Sequence, residues 1–233
     1  MSKKAKAWSG DGLSQDDFMK KDQVVVVDES DKIVGSASKY DTHVYNKDTP
    51  RGRLHRAFSI FLFNSEGKLL LQQRAAEKIT FPKVWTNTCC SHQLSGYSPD
   101  EVDSDEAITT GSVEGAKAAA VRKLKHELGI DSKDVTIKKF KFLTRLHYWA
   151  ADVLTHGPES PWGEHEIDYI LFIKVNVKCV PNPEEVMDTK YVSLDELRGM
   201  MKVLCAALNC CALYCTVLRA LCLKILRFYI IQF

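Results

Sequence analysis

The chain has 233 residues, 45% of them hydrophobic and 27% charged, which suits one soluble domain with a sizeable core. Lys and Arg number 32 against 30 Asp and Glu, so the net charge of +2 points to neither nucleic acid nor a membrane surface, and any basic site has to be local. The 8 cysteines are not spaced as a disulfide framework, since Cys89 and Cys90 adjoin and Cys205, Cys210, Cys211, Cys215 and Cys222 crowd the end.

Residues 1–22 read as a polar N-terminal arm, loose or with one short helix. They contain no apolar export segment, and Asp11, Asp16 and Asp17 are foreign to a transit peptide. Reduced thiols and a cytoplasmic protein are therefore expected, or a plastid one if a transit peptide has been removed. Val24 to Val27 is a β-branched strand, turned by Asp28-Glu29-Ser30-Asp31, with Ile33-Val34 returning. Tyr40 to Arg53 reads as a polar loop. Ala57–Phe63 and Lys68–Gln73 flank Asn64-Ser65-Glu66-Gly67 as a hairpin. Thr86 to Gln93 is expected to be a polar turn, and residues 98–112 an acidic loop.

From Glu114 to Leu128, Ala116, Ala120, Leu124 and Leu128 recur every four residues, and Gly129 follows as a stop: a helix. Val135–Leu143, Glu166–Val177 and Met187–Val192 read as strands, with Pro181 and Pro183 as a break. Ser193 and Glu196 form a capping box that opens a last helix. Strands, a helix, more strands and a helix predict an α/β/α sandwich with a mixed sheet over residues 23–199. Residues 200–233 are a hydrophobic tail of another character. No acidic residue follows Glu196, and Val203–Leu218 is apolar apart from Asn209 and Thr216. That run is short of the ~20 residues a span needs, so membrane contact by the tail is not favoured.

Two clusters carry chemistry. Cys89-Cys90-Ser91-His92 sets two thiols, a hydroxyl and an imidazole in consecutive positions. Gly163-Glu164-His165-Glu166 enters a strand on which Glu164 and Glu166 share one face and His165 takes the other. In outline the pair is both a metal site and an acid/base site.

Glu114, Arg122, Glu127 and Gly129 keep the spacing of a Nudix box, a loop-helix motif that holds metal against a diphosphate. Lys123 and His126 stand where that pattern wants glutamates, and Ile108 where it wants glycine. Together with Thr86–His92, Leu54–Ser59, Glu164–Glu166, Lys39 four before His43 and Arg74 four before Lys78, the chain resembles eukaryotic type I isopentenyl-diphosphate delta-isomerase from about Gln23 to Leu197. The resemblance implies a Nudix-type fold and interconversion of isopentenyl and dimethylallyl diphosphate by a 1,3-allylic proton shift. It implies Cys90 and Glu166 as the acid/base pair, with Tyr148 beside Glu166; an aromatic such as Trp85 is expected to face the carbocation with its ring. It implies Lys39, Arg74, Lys78 and Ser91 on the diphosphate. His43, His55, His92, Glu164 and Glu166 would hold one divalent ion, Zn²⁺, Mn²⁺ or Mg²⁺, and Glu127 a Mg²⁺ that arrives with substrate.

Two departures are visible. Gln93 replaces the proline usual after the motif histidine, so a looser turn is expected. The family's C-terminal aromatic segment, which helps to cover the hydrocarbon, has no counterpart after about Met200. Two other readings remain at this stage: a Nudix pyrophosphohydrolase, and a weakened variant that binds a prenyl diphosphate.

Overall fold

The computed structural model of the chain describes residues 6–10 and 12–208. Most of the expected hydrophobic tail, from residue 209 on, lies outside them. Helix α1 (Gln15–Lys21) precedes the paired strands β1 (Gln23–Val27) and β2 (Ile33–Ser38), and a short helix α2 (Lys39–His43) follows. Strands β3 (His55–Phe63) and β4 (Leu69–Arg74) form the hairpin read from Asn64–Gly67, followed by the short strands β5 (Trp85–Thr86) and β6 (Cys89–His92). Then come helices α3 (Asp105–Thr110) and α4 (Glu114–Leu128), strand β7 (Lys141–Ala151), a single turn α5 (Val153–His156), strand β8 (Gly163–Lys174), strand β9 (Val186–Val192) and helix α6 (Leu194–Leu208).

β3 is the spine. It pairs antiparallel with β6 (Ser59 opposite Cys90) and parallel with β8 (His55 opposite Glu166), so strands carrying the two chemical clusters flank it on either side. β7 pairs antiparallel with β8, and β9 with β4. The sheet is mixed, as expected. Alternation along β3 and β8 then splits the core into two clusters. Phe58, Ile60, Leu62, Tyr169 and Leu171 join Ala116, Ala120, Leu124 and Leu128 of α4 in one. Phe61, Ile170 and Phe172 join Leu194, Leu197, Met200 and Met201 of α6 in the other. Helix, sheet and helix are thus layered.

Local sequence explains where the helices begin and end. Asp103 caps α4 from outside, its two carboxylate oxygens accepting Gly115 N–H (2.7 Å) and Ala116 N–H (2.9 Å). A side chain at Gly115 would lie 2.6 Å from the Glu101 carbonyl, so the position needs glycine. Gly129 ends the helix at φ 61, with a Cβ there only 2.4 Å from the Val180 carbonyl. Ser193 and Glu196 do form the predicted box, in which Ser193 N–H donates to Glu196 Oε2 at 2.7 Å and Glu196 N–H to Ser193 Oγ at 3.3 Å.

Five local readings differ. The polar loop from Tyr40 opens as helix α2, because Ser38 Oγ accepts Asp41 N–H (3.1 Å) as an N-cap. Ser104 does the same for α3 inside the expected acidic loop, at 3.2 Å from Ala107 N–H. The strand read over 135–143 begins only at Lys141, after a 3₁₀ turn over Ile137–Lys139, and continues to Ala151. Thr86–Gln93 is not a turn: its ends pair with β4 and β3. Gln93 does not loosen the chain. It is fully buried, and its side-chain amide donates to Glu101 O and Asp103 Oδ2, both at 2.8 Å.

Candidate active site

Three imidazoles and a carboxylate meet at one end of β3. α2 supplies His43, β3 His55, β6 His92 and β8 Glu166. One ligand atom from each lies within 4.8 Å of all the others, and all four residues are buried. His43 Nδ1 is 2.7 Å from Lys39 O and His55 Nδ1 2.7 Å from Arg53 O, which fixes both rings with Nε2 free to face the centre. His92 Nε2 lies 3.0 Å from Glu166 Oε1 and His55 Nε2 3.5 Å from the same oxygen. Burial, and then the neighbouring imidazoles, hold His43 well below the usual imidazole range; burial takes His92 down to about 3. Against burial, the His55 and His92 imidazoles hold Glu166 well below the carboxylate range. Neutral imidazoles at His43 and His92 beside an ionised carboxylate are donor forms a divalent cation takes, and buried His55 Nε2 has no hydrogen-bond partner among the described residues. The residues fit a divalent ion.

Glu164 is not in that tight quartet. Tyr148 on β7 links it to Glu166, the phenol oxygen lying 2.6 Å from Glu166 Oε2 and 3.0 Å from Glu164 Oε2. Burial and the Glu166 charge raise Glu164 to about 7. Across β3 sits Cys90. Its thiol donates to Asn87 Oδ1 at 2.7 Å and lies 3.4 Å from Ser59 Oγ, whose hydroxyl donates to Asp168 Oδ2 at 2.8 Å. Burial and the Asp168 carboxylate push Cys90 up to about 12, so the free protein holds a thiol there.

Cys90, Tyr148, Glu164, Glu166 and Asp168 line one open-mouthed cavity. Its other wall is basic, built from Lys39, Arg74, Lys78 and Lys123 around Glu127. Lys123 Nζ is 2.9 Å from Glu127 Oε1 and Gln72 Nε2 donates to Glu127 Oε2 at 3.1 Å. Burial opposes it, but the Lys123 and Lys78 charges bring Glu127 down to about 2.

Comparison with known proteins gives this arrangement a family. The NUDIX domain model matches residues 53–206. An isopentenyl-diphosphate Delta-isomerase I of Camptotheca acuminata is 47% identical over 185 residues, 79% of this chain and 73% of that protein. The chain belongs to the isopentenyl-diphosphate delta-isomerase family. A Gibberella zeae isomerase is 52% identical over 174 residues, 75% of this chain and 64% of its own length. A chloroplastic Arabidopsis thaliana isomerase is 48% identical over 185 residues, 79% of this chain and 60% of its own length. The chain therefore spans under two thirds of the length of several isomerases it matches. The crystal structure of DR0079 from Deinococcus radiodurans, 14% identical, superposes with a TM-score of 0.55 over 87% of this chain and 99% of that one, and shares the fold.

Within this isomerase-family fold, the cavity brings together Lys39, His43, Arg74, Lys78, Cys90, Ser91, His92, Glu127, Tyr148, Glu164 and Glu166, with His55 buried beside it. Trp85 is the exception. It is not among the lining residues; β5 turns Thr86 inward and leaves the Trp85 ring against the α6-side cluster, with Lys190 Nζ 4.2 Å from its centroid. His165 does face away from the carboxylates, stacked on His147 at 5.3 Å. Sequence reasoning missed Ser59, Asn87 and Asp168, which line the cavity, and Glu185, which lies behind it in contact with Lys78 Nζ. Asp168 continues the every-second-residue series of Glu164 and Glu166, a readable signal, whereas Glu185 sits beyond Pro183 in a stretch with no pattern at all.

Proposed function

We propose that the chain interconverts isopentenyl and dimethylallyl diphosphate. The reading is carried by one observation: the Cys90 thiol and the Tyr148-linked Glu166 carboxyl line one cavity from strands on either side of β3, with the basic wall beside them. An alkene is a very weak base, so the shift needs one group to deliver a proton and another to remove one, in a pocket that keeps water from the cationic intermediate. Towards dimethylallyl diphosphate, Glu166 with Tyr148 gives a proton to the terminal methylene carbon, the double bond moves, and Cys90 takes a proton from the carbon next to the diphosphate-bearing one. The reverse direction exchanges the roles. A free protein with Cys90 as a thiol and Glu166 ionised is set for that reverse direction.

Lys39, Arg74, Lys78, Ser91 and Lys123 hold the diphosphate. When bound, a divalent ion on His43, His55, His92, Glu164 and Glu166 would set the charge that governs the carboxyl proton, and Glu127 would hold a Mg²⁺ whose charge would offset that of the diphosphate. Residues 23–199 form the isomerase domain, between the arm of residues 1–22 and the tail of residues 200–233. The partner is a small prenyl diphosphate. The site is set in the cytosol, or in a plastid as for the relatives named chloroplastic. Among the described residues no helix is long and apolar enough to cross a membrane. Pyrophosphohydrolysis is the weaker reading, because Lys123 and His126 stand at carboxylate positions of the Nudix box. Measuring isopentenyl diphosphate conversion alongside phosphate release separates the two activities.

A further inference from the structure

We propose that Glu185 is a positioning residue of the diphosphate pocket, and that through it the N-terminal segment is a working part of that pocket. This rests on the diphosphate reading above. Glu185 is 2% exposed and does not itself line the cavity. One of its oxygens, Oε2, contacts Lys78 Nζ and lies 4.0 Å from Lys123 Nζ, two ammonium groups of the basic wall. The other, Oε1, accepts from Gln15 Nε2 of α1 at 3.2 Å and lies 3.0 Å from His126 Nε2 on α4. A single carboxylate thus joins the arm, the Nudix helix and two cavity cations.

The arm is seated on that junction. Trp8 and Phe18 both meet the His126 ring edge-on, with centroids 5.0 and 5.4 Å away. Trp8 is itself held, its Nε1–H donating to Asp22 Oδ1 at 3.0 Å while the Arg122 guanidinium lies 4.9 Å from its ring centroid. Gly10 presses so closely that a Cβ would fall 2.5 Å from Trp8 and 2.8 Å from His126. The Glu185 backbone is pinned too: its N–H donates to Asn182 O, Asn182 N–H donates to Glu127 O, and Ala75 N–H donates to Glu185 O.

Lys78 and Lys123 are like charges held at the same carboxylate, with side chains only 8% and 10% exposed. Glu127 also holds Lys123, at 2.9 Å, but Glu185 is the carboxylate the two lysines share, and without it Lys78 would be repelled by Lys123 and turn towards water. With Glu185 behind, each ammonium keeps its remaining N–H groups for a ligand in front. Glu185 thereby lowers the net positive charge of the pocket but fixes where that charge points, and orientation decides whether two lysines can share one diphosphate.

The test is calorimetric titration of the full chain with inorganic diphosphate and Mg²⁺, which needs no turnover. Glu185→Gln should weaken binding about tenfold, and Trp8→Ala about threefold. Lys78→Met should weaken it on its own, and in that background Glu185→Gln should add less than twofold, because its effect runs chiefly through Lys78, the nearer ammonium, while Lys123 keeps its contact with Glu127. A merely structural role would weaken both backgrounds equally, and that result overturns the proposal. So does unchanged or tighter binding by Glu185→Gln. Should Glu185→Gln not fold, Glu185→Asp, which keeps the charge but withdraws it by one methylene, carries the same cycle with the same criteria. Wild-type protein that binds no diphosphate removes the diphosphate reading and this proposal together; wild-type binding with an unaffected Glu185 variant removes this proposal alone.

Discussion

Replacing each of the adjacent cysteines by alanine should separate chemistry from packing. Cys90 lines the cavity, and its sulfur is the thiol across from Glu166; Cys89 is 0% exposed within the α4-side core, its thiol donating to Glu127 Oε2 at 3.2 Å. On the proposed mechanism, Cys90→Ala removes the group that moves one of the two protons. Its kcat should fall about 10³-fold, which at 1.36 kcal/mol per tenfold is roughly 4 kcal/mol of barrier. The effect on fold should be slight, since Cys90 is only half-buried. Cys89→Ala loses one sulfur's packing and a hydrogen bond to a carboxylate, together on the order of 2–3 kcal/mol of stability. That loss should appear as a lower unfolding midpoint, with kcat within about threefold of wild type. Initial rates at saturating isopentenyl diphosphate, paired with urea unfolding, measure both. Equal losses of rate at the two positions, or an active Cys90→Ala, would refute the assignment of the thiol.

Other consequences follow from the same geometry. Glu166→Gln should match Cys90→Ala in kcat, and chelator-washed, reloaded His55→Ala should hold clearly less divalent metal than wild type by elemental analysis; undiminished metal would take His55 out of the site. Burial and the Lys78 and Lys123 charges push Lys39 down to about 8, so its ammonium is present below that pH and lost above it. The free-enzyme parameter kcat/KM should therefore decline as pH rises through about 8, and Lys39→Gln should flatten that limb at a lower plateau. An identical alkaline limb in the variant would assign it elsewhere. Arg56, 0% exposed, donates to Asp31 Oδ1, Asp31 O and Asp103 O, each at 2.8 Å. Arg56→Met, which leaves buried Asp31 with Arg145 as its remaining counter-charge and takes the donor from the Asp31 and Asp103 carbonyls, should cost about 3 kcal/mol or more in denaturant unfolding, and a cost under about 1 kcal/mol would contradict this.

Long periodic stretches were the legible part of the fold. The Ala116–Leu128 repeat with Gly129 behind it marks α4 to the residue, because burial on one face and a left-handed stop leave separate traces in the sequence. Short helices such as α2 and α3 were not legible, since a serine cap and one turn inside a polar stretch look like any loop. The proposed site residues could be named because the family resemblance carries roles onto matching positions; spacing alone offered the Cys89–His92 and Glu164–Glu166 clusters as a metal and acid/base site in outline. Trp85 shows the limit of that reasoning. Its side depends on β5, two residues long, and a one-residue change of register reverses which side chain faces inward. Glu185 was invisible for the opposite reason: its partners come from α1, α4 and the segment after β4, a meeting that only the folded chain creates.

The central claim is that this cavity moves protons on a prenyl diphosphate and leaves the diphosphate intact. Proton NMR of the full chain with Mg²⁺, Mn²⁺ and isopentenyl diphosphate in deuterated water tests it directly, with released phosphate measured in the same tube. Dimethylallyl diphosphate should accumulate to equilibrium with deuterium entering the carbons that gain protons, and phosphate should stay at background. Phosphate release without isomer, or bound substrate that neither converts nor exchanges, would contradict the account.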